Sequence, residues 1–363
     1  MSNYFAAIFG AGIAGTAIAH ELQKLGKKIL LIDPHVSENA PGAPAALVNP
    51  ATGRHARMSW EAEACMNALR ETVEAVQKND GGEPLISDTG VIRPAINEKL
   101  AGNFRESLEK YDWPEGWIRW MDQTEVAQLN PQVAPNHGAL FLDCGFTVYV
   151  DRYLNAFRKH LRLNGAACRY EAARYEPVPD GIAYRISLES GESVTADNVI
   201  AAAGEQTPFF NHWQYLPLHR VKGQIVRYEA DRDLNWDHAV SAMGYTLRRG
   251  KRELIVGSTY EHKFEDLSVT EKAAEQIHSK LQKMLSGVAE NVKVIDQIAG
   301  VRVTTPNKLP VIGRHPEHPN ICIYTAMGSK GLLFSAYVAR FLAEHLVSGA
   351  PIPEELDTKR FDG

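Results

Sequence analysis

The residues with the clearest chemical meaning form the segment Gly10-Ala11-Gly12-Ile13-Ala14-Gly15 near the start of the chain. An apolar run precedes this segment and a helical pattern follows it. In such a strand–turn–helix, the first glycine makes the tight turn, the second lets the backbone approach a pyrophosphate, and the third allows helix and strand to pack closely. Free N–H groups at the start of the helix also attract phosphate. The segment therefore predicts a dinucleotide-binding turn.

One carboxylate is placed to select the nucleotide. Asp33 lies 18 residues beyond Gly15, at the end of a second apolar run. A carboxylate at this position can accept hydrogen bonds from both hydroxyls of a ribose, and it disfavours a 2′-phosphate. We therefore expect FAD or NAD rather than NADP.

The elements that must position these groups form a β-α-β unit, with strands over residues 4–9 and 28–32 and a helix over 16–25. Three prolines and two glycines predict a loop over residues 40–57, and Ser59 is expected to be the N-cap of a long helix. The remaining patterns predict helices at 151–164, 270–285 and 331–346, strands between 168 and 194 and at 198–203, 217–229, 245–249, 253–259 and 320–326, and a loop at 300–315.

Composition and charge restrict the class of protein. The 363 residues are 44% hydrophobic and carry a net charge of −5, which favours a globular protein and argues against coating of nucleic acid by bulk electrostatics. Neither a membrane-spanning run nor a signal peptide is recognisable, and the four cysteines lack metal or disulfide spacing. The thirteen histidines show no metal-binding spacing, so we expect no metal. These features predict a soluble, cytoplasmic protein.

Further segments carry a resemblance to a known family. They are the strand that runs into Gly204, the segment Gly300–Gly313, and the glycine-rich turn Gly328–Gly331 before the last helix. Together with the dinucleotide turn and Asp33, they resemble the D-amino-acid oxidase/glycine oxidase family of FAD-dependent oxidoreductases over essentially the whole chain. Two departures are Pro41-Gly42 in place of the usual Ser-Gly pair and Lys330 at a position where the most similar members usually have arginine.

The resemblance implies a fold and a cofactor. The fold class is α/β with an α+β insert: a Rossmann-type FAD-binding domain (1–80, 146–215 and 295–363) interleaved with an antiparallel-sheet substrate domain (81–145 and 216–294). In relatives that tether FAD to a cysteine, the attachment lies just before the Thr-Pro turn. Residues 300–305 contain no cysteine here, so FAD is expected to be non-covalent. The residues expected to contact FAD are Gly10, Gly12, Ile13, Ala14, Gly15, Asp33, Ala45, Ala46, Leu47, Ala173, Ala203, Gly204, Gly300, Gly328, Ser329, Lys330, Gly331 and Leu332.

The same resemblance implies three catalytic residues. Arg302 is expected to hold a substrate carboxylate, because a guanidinium can bind a carboxylate through two parallel hydrogen bonds. Tyr245 matches a second carboxylate contact, although a half-buried tyrosine is also common in ordinary strands. Lys330, with the start of the following helix, is expected to stabilise the anionic reduced flavin. An ordinary solvated lysine is the alternative for that position.

The substrate is less determined than the cofactor. Within the family, the chain is most similar to oxidase domains that act in tRNA wobble-uridine modification, which implies removal of the carboxymethyl group from carboxymethylaminomethyl-uridine. A free small amino acid (glycine, sarcosine or a D-amino acid) is a second hypothesis, and a non-catalytic flavin- and RNA-binding protein is a third. Oxygen or another acceptor is expected to take the electrons, and no membrane partner is expected.

Two basic clusters bear on a possible tRNA partner. One contains Arg54, His55 and Arg57, and the other lies on a predicted hairpin with Arg248, Arg249, Lys251 and Arg252. Both are expected near the substrate entrance if the family fold holds. A run of charges is most often a solvated turn. The alternative is a grip on RNA phosphates around a modified base.

Overall fold

The computed structural model describes residues 3–35, 43–179 and 183–361. The helices are α1 (Ile13–Lys24), α2 (Ala62–Asp80), α3 (Glu98–Lys110), α4 (Gln123–Leu129), α5 (Val150–Leu163), α6 (Glu271–Met284), α7 (Ser286–Ala289) and α8 (Gly331–Ser348). The strands are β1 (Asn3–Phe9), β2 (Ile29–Ile32), β3 (Ala46–Val48), β4 (Ala51–Thr52), β5 (Arg57–Met58), β6 (Ile86–Ser87), β7 (Val91–Pro94), β8 (Ile118–Met121), β9 (Ala139–Leu142), β10 (Phe146–Val148), β11 (Ala167–Arg169), β12 (Ala173–Pro177), β13 (Tyr184–Leu188), β14 (Ser193–Ala201), β15 (His219–Ala230), β16 (Ala239–Ser241), β17 (Tyr245–Arg249), β18 (Glu253–Gly257), β19 (Val292–Thr304), β20 (Val311–Arg314) and β21 (Ile321–Thr325).

The first sheet carries the dinucleotide turn. Its strands run in the order β11-β2-β1-β14-β13-β12, and β21 and β20 extend it beside the later part of β14. Strands β11, β2, β1, β14 and β21 are parallel, so the carboxyl ends of β1 and β2 lie together. Helices α1, α2, α5 and α8 pack against one another beside this sheet. The β-α-β prediction for the first 32 residues is confirmed.

The second sheet is almost entirely antiparallel, in the order β19-β15-β18-β17-β16-β7-β9-β8, with one parallel pair between β16 and β7. Helix α6 covers part of it, because Ile277, Leu281 and Met284 share a buried cluster with Val226 and Val256. A small sheet, β3-β10-β6, carries residues 46–48. No helix in the described parts of the chain is long and apolar enough to cross a membrane.

The structure corrects the prediction of a loop over residues 300–315. Strand β19 continues to Thr304 and β20 occupies Val311–Arg314, so only the turn between them is irregular. Val301 and Val303 instead continue a strand that pairs with β15. The predicted domain boundary at residue 295 falls inside β19, which lies in the second sheet along its length.

Two predictions near the first loop also need correction. Ser59 is not an N-cap: its hydroxyl donates to the Pro50 carbonyl at 2.8 Å, and α2 begins three residues later, after Glu61 in a left-handed conformation. The predicted loop over 40–57 contains three short strands, β3, β4 and the start of β5. Residues 40–42 of that loop, with Pro41-Gly42, lie outside the described residues.

Candidate active site

The dinucleotide turn has the geometry that its three glycines predict. Gly10 has φ +114°, and a Cβ there would lie 2.3 Å from the Ala202 carbonyl oxygen. A Cβ on Gly15 would lie 1.7 Å from the Gly10 carbonyl oxygen, so both positions exclude any side chain. Gly12 faces open space instead, with no atom within 4 Å of a built Cβ. Since α1 begins at Ile13, its free N–H groups point to the space left by Gly12, which fits a pyrophosphate.

Asp33 is held in place by backbone N–H groups. Its Oδ2 accepts from Ala11 at 2.8 Å and its Oδ1 accepts from His35 at 2.9 Å. Each oxygen keeps a further lone pair, so the carboxylate can still accept ribose hydroxyls. Ala203 and Gly204 follow Ala202, whose N–H donates to the Phe9 carbonyl, and therefore lie beside the turn. These contacts place the predicted adenosine-binding groups at the carboxyl ends of β1, β2 and β14.

A cavity of about 1230 Å³ lies between elements of the two sheets. The predicted residues that line it are Ile13, Ala45, Ala46, Leu47, Tyr245, Gly300, Arg302, Gly328, Ser329, Lys330, Gly331 and Leu332. The predicted residues outside its lining are Gly10, Gly12, Ala14, Gly15, Asp33, Ala173, Ala203 and Gly204. Most of the second set surrounds the dinucleotide turn. Ala173 instead begins β12, where it packs beside the cluster that contains Phe9 and Ile32.

Arg302 enters the cavity from β19. Its Nη2 donates to Ser258 Oγ at 2.7 Å, its Nη1 donates to the Thr259 carbonyl at 3.3 Å, and its guanidinium lies 4.7 Å from the centre of the Tyr260 ring. A Cβ on Gly223 would lie 2.3 Å from Nη1, so this glycine leaves room for the guanidinium. No carboxylate of the described residues lies within 4.0 Å of it. A cation in a cavity without an internal counter-ion is suited to bind an anionic ligand.

Tyr245 lies at the start of β17, paired with Gly257. Its hydroxyl is close to that glycine, since a Cβ on Gly257 would lie 2.8 Å from the phenol oxygen. Burial raises the pKa of Tyr245 to about 12, although the positive charge of Arg302 acts in the opposite direction. The phenol therefore stays protonated at neutral pH and can donate a hydrogen bond into the cavity.

The glycine-rich turn brings Lys330 to the same cavity. Residues Gly328–Lys330 form a short 3-10 segment, and α8 begins directly after it at Gly331. The Lys330 ammonium lies 5.3 Å from the centre of the Phe334 ring. Burial lowers the pKa of Lys330, and the positive charge of Lys308 lowers it further. The turn therefore places a cation and the start of a helix at one wall of the cavity.

The structure separates the two basic clusters. Arg54 and His55 line the cavity, whereas none of the hairpin residues does. Arg248 pairs with Asp237 and donates to the Leu234 carbonyl at 2.9 Å. Arg249 pairs with Asp151 at 2.8 Å, and Arg252 donates to the Ala230 carbonyl. These arginines therefore hold the hairpin against neighbouring segments of the chain, and its position near the entrance stays a prediction.

Arg93 is among the cavity residues that were not predicted from the sequence. Arg93 on β7 is 6% exposed, and its Nη1 and Nη2 donate to the carbonyls of Ala51 and Gly53 at 2.6 and 2.8 Å. Burial lowers the pKa of Arg93 to about 10. An arginine within a short apolar strand is a signal of a buried cation, but its partners are backbone carbonyls that a sequence pattern does not reveal.

A histidine cluster lies outside the cavity lining. His315, Glu317 and His318 offer atoms within 4.8 Å of one another that could hold a metal. The Nδ1 of His315 already accepts from the backbone N–H groups of Glu317 and His318, at 3.1 and 3.2 Å. That nitrogen is therefore engaged in the turn, and the expectation of no metal stays a prediction.

The parallel sheet, the glycine turn and Asp33 have the geometry of a dinucleotide-binding protein. The family model described as FAD dependent oxidoreductase matches residues 6–345, so the chain belongs to this family. It is an FAD-dependent oxidoreductase, with FAD as its cofactor.

The chain is similar to two kinds of proteins of known name. The chain is 25% identical to the tRNA 5-methylaminomethyl-2-thiouridine biosynthesis bifunctional protein of Thiobacillus denitrificans, over 98% of this chain but only 58% of that protein. It is 26% identical to glycine oxidase of Bacillus licheniformis, over 97% of this chain and 95% of that protein. The crystal structure of glycine oxidase from Geobacillus kaustophilus matches with a TM-score of 0.81 and 19% identity, covering 99% of this chain and 98% of that one.

Proposed function

We propose that this protein oxidises the C–N bond of a glycine-like secondary amine whose carboxylate binds Arg302. The observation that carries the proposal is the Arg302 guanidinium, which enters the cavity beside Tyr245 without a carboxylate partner among the described residues. Ser258 and Thr259 fix its orientation, so it can receive a carboxylate without first breaking an ion pair. The protonated Tyr245 hydroxyl supplies a second donor to the same carboxylate.

The residues of the dinucleotide turn and the cavity suit FAD. Gly12, the start of α1 and Asp33 would hold its pyrophosphate and ribose, and the Gly328–Gly331 turn would lie against its ring. A bound FAD would supply the acceptor for a hydride from the carbon next to the substrate nitrogen. The chain contributes positioning: Arg302 fixes the carboxylate, which fixes the adjacent carbon. The resulting imine takes up water and releases glyoxylate and the primary amine.

For the substrate, we favour a carboxymethylaminomethyl-uridine at the wobble position of tRNA. The relative from Thiobacillus denitrificans is named for tRNA modification, and the matched region spans this chain almost completely. The lining of the cavity also includes the cations of Arg54 and Lys99, which an RNA backbone would attract. Oxygen or another acceptor would reoxidise the flavin.

A free small amino acid is the second candidate. The match to glycine oxidase of Bacillus licheniformis covers nearly the whole length of both proteins. Arg248 and Arg249 of the hairpin are also engaged in ion pairs, which makes that cluster a weaker candidate for an RNA contact. The third hypothesis, a protein without turnover, is not supported by the family membership.

Anaerobic loss of the visible flavin absorbance separates these candidates. The holoenzyme is mixed with glycine, sarcosine or D-alanine in one series, and with tRNA carrying carboxymethylaminomethyl-uridine in another. Rapid bleaching by the tRNA alone supports the RNA substrate. Rapid bleaching by a free amino acid, with none by the tRNA, overturns it in favour of small-amine oxidation.

A further inference from the structure

The mouth of the cavity combines two kinds of surface. One, the cationic wall, consists of Arg54, His55 and Lys99, from the turn after β4 and the first turn of α3. The other, the apolar wall, consists of Met243 and Tyr260, which are 36% and 60% exposed. Exposed large apolar side chains beside a binding cavity commonly contact a ligand. The substrate clamp of Arg302 lines the same cavity.

Three side chains donate hydrogen bonds to the backbone of the turn that carries Arg54 and His55. Arg93 donates to the carbonyls of Ala51 and Gly53. Asn103 Nδ2 donates to the Arg54 carbonyl at 3.3 Å, and Ser107 Oγ donates to the Ala56 carbonyl at 2.7 Å. Burying an arginine is costly, and here the buried guanidinium is used to order a short turn. The turn is therefore ordered before any ligand binds.

The charges of the cationic wall are available, in contrast to those of the hairpin. Within the described ranges, no carboxylate lies within 4.0 Å of the Arg54 guanidinium or the Lys99 ammonium. Both residues line the cavity, whereas the neighbouring acid Glu98 does not. The positive end of the α3 dipole adds to this field, because Asn97 at its N-cap also lines the cavity. The combination attracts an anion to one part of the mouth.

The apolar wall is continuous with the clamp. Tyr260 lies 4.7 Å from the Arg302 guanidinium and leaves most of its side chain accessible. An accessible aromatic ring of this kind can stack against a planar base. Met243 adds a polarisable, flexible side chain that adapts to such a surface.

We propose that the mouth recognises the nucleotide that bears the reacting amine: Arg54 and Lys99 bind an RNA backbone phosphate while the modified base stacks on Tyr260. The inference rests on the proposed RNA substrate. It places the glycine-like arm on Arg302, the base at the apolar wall and the phosphate at the cationic wall. The selectivity for RNA over a free amino acid then comes from the mouth rather than from the clamp.

The test compares two probes that differ in phosphate. One is the nucleoside 5-carboxymethylaminomethyluridine, and the other is an anticodon stem–loop RNA carrying the same base. We expect wild-type holoenzyme to have a lower KM for the stem–loop. The double variant Arg54→Gln/Lys99→Gln should raise the stem–loop KM by about 10-fold and flatten its salt dependence by roughly one unit of slope. The nucleoside should be affected much less.

A matched variant controls for the loss of two charges. Lys110→Gln/Lys272→Gln removes two exposed lysines outside the cavity, one of them at the far end of α3. It should leave both KM values unchanged. Tyr260→Ala should lower kcat/KM for nucleoside and stem–loop alike by about 10-fold, and Tyr260→Phe should restore it, as stacking requires.

The outcomes separate this inference from the proposed function. If wild-type enzyme oxidises neither probe but oxidises sarcosine, the RNA substrate itself is wrong. If both probes react and the Arg54/Lys99 variant keeps the full advantage of the stem–loop, the phosphate contact at the mouth is overturned. If Tyr260→Phe loses as much activity as Tyr260→Ala, the stacking contact is overturned.

Discussion

Arg302 is held through a hydroxyl and a backbone carbonyl, and this choice of partners keeps its charge available. An acidic partner would have neutralised the guanidinium and competed with a substrate carboxylate. Ser258 and Thr259 instead accept its hydrogen bonds without carrying charge. The ring of Tyr260 packs on it and limits its side-chain freedom. The side chain of Arg302 is therefore held in one orientation while its positive charge has no negative partner, as a carboxylate clamp requires.

Gly223 gives a direct test of this placement. In Gly223→Ala, the new methyl group would meet Nη1 of Arg302 at 2.3 Å, and the flexible guanidinium should move rather than the strand. We expect kcat/KM to fall by about 10- to 100-fold, since small misplacements of a positioning group have effects of this size. Steady-state kinetics measures the loss, and FAD affinity should be unchanged. Full activity in this variant would contradict the placement of Arg302.

Tyr245 gives a prediction with a pH dependence. Because burial raises its pKa to about 12, the neutral phenol persists to a higher pH than an ordinary tyrosine. The phenol should therefore cause no alkaline loss of kcat/KM below about pH 10. Tyr245→Phe should raise KM by about 10-fold through loss of one hydrogen bond to a charged group. An alkaline limb below pH 10 that disappears in this variant would contradict the assignment.

At the scale of elements, the strand–turn–helix around Gly12 allows FAD binding to be changed without changing the stability of the fold. Gly12→Ala adds a methyl group where no atom of the chain lies within 4 Å, and its φ of −84° suits alanine. The variant should fold normally but bind FAD at least about 10-fold more weakly, because the methyl occupies the pyrophosphate site. Titration of the apoprotein with FAD measures this. Gly102→Ala, on the open face of α3, is the matched control with unchanged affinity.

The elements also show what the sequence could predict. The β-α-β unit was predictable because glycine spacing, apolar runs and one acid all specify the same local geometry. Strand β19 was not predicted from the sequence, because its pairing with β15 is a long-range contact that a local pattern does not reveal. The start of α2 was also missed, since Glu61 in a left-handed conformation rather than Ser59 precedes it.

In the candidate site, too, some residues were predictable from the sequence and others depend on long-range contacts. Arg302, Tyr245 and Lys330 were placed in one cavity from a family resemblance, and the structure brings all three to its lining. The role of Arg93 was not predictable, because its partners are the carbonyls of a distant turn. Nor could the charges of Arg54 and Arg249 be distinguished in the sequence, although only Arg249 has an acidic partner in the described chain.

At the scale of the whole molecule, two sheets meet at the cavity. The first carries the dinucleotide turn beside it, and the second supplies Arg302 from β19 and Tyr245 from β17 to its lining. A bridge between Thr304 and Met327 joins the end of β19 to the segment before the glycine-rich turn. The strand that carries Arg302 is thus bridged to the segment that leads into the Gly328–Gly331 turn.

This arrangement predicts that FAD stabilises the whole fold. A ligand that binds only the folded state at 100 times its Kd adds about 2.7 kcal/mol. For a chain of this length, Tm should rise by roughly 3–4 °C. Thermal unfolding of the apoprotein at increasing FAD concentration measures the shift, and Gly12→Ala should require more FAD for the same rise. A Tm independent of FAD would contradict the proposed cofactor contacts.

The most direct test of the account is anaerobic reduction of the bound flavin in wild-type protein, Arg302→Lys and Arg302→Ala. All three should retain FAD, because Arg302 lies on the second sheet, away from the dinucleotide turn. The account predicts rapid bleaching of wild type by its carboxylate-bearing amine, a large loss in Arg302→Ala, and partial recovery in Arg302→Lys at high substrate concentration. Bleaching of Arg302→Ala at the wild-type rate and substrate concentration would show that the carboxylate does not bind Arg302.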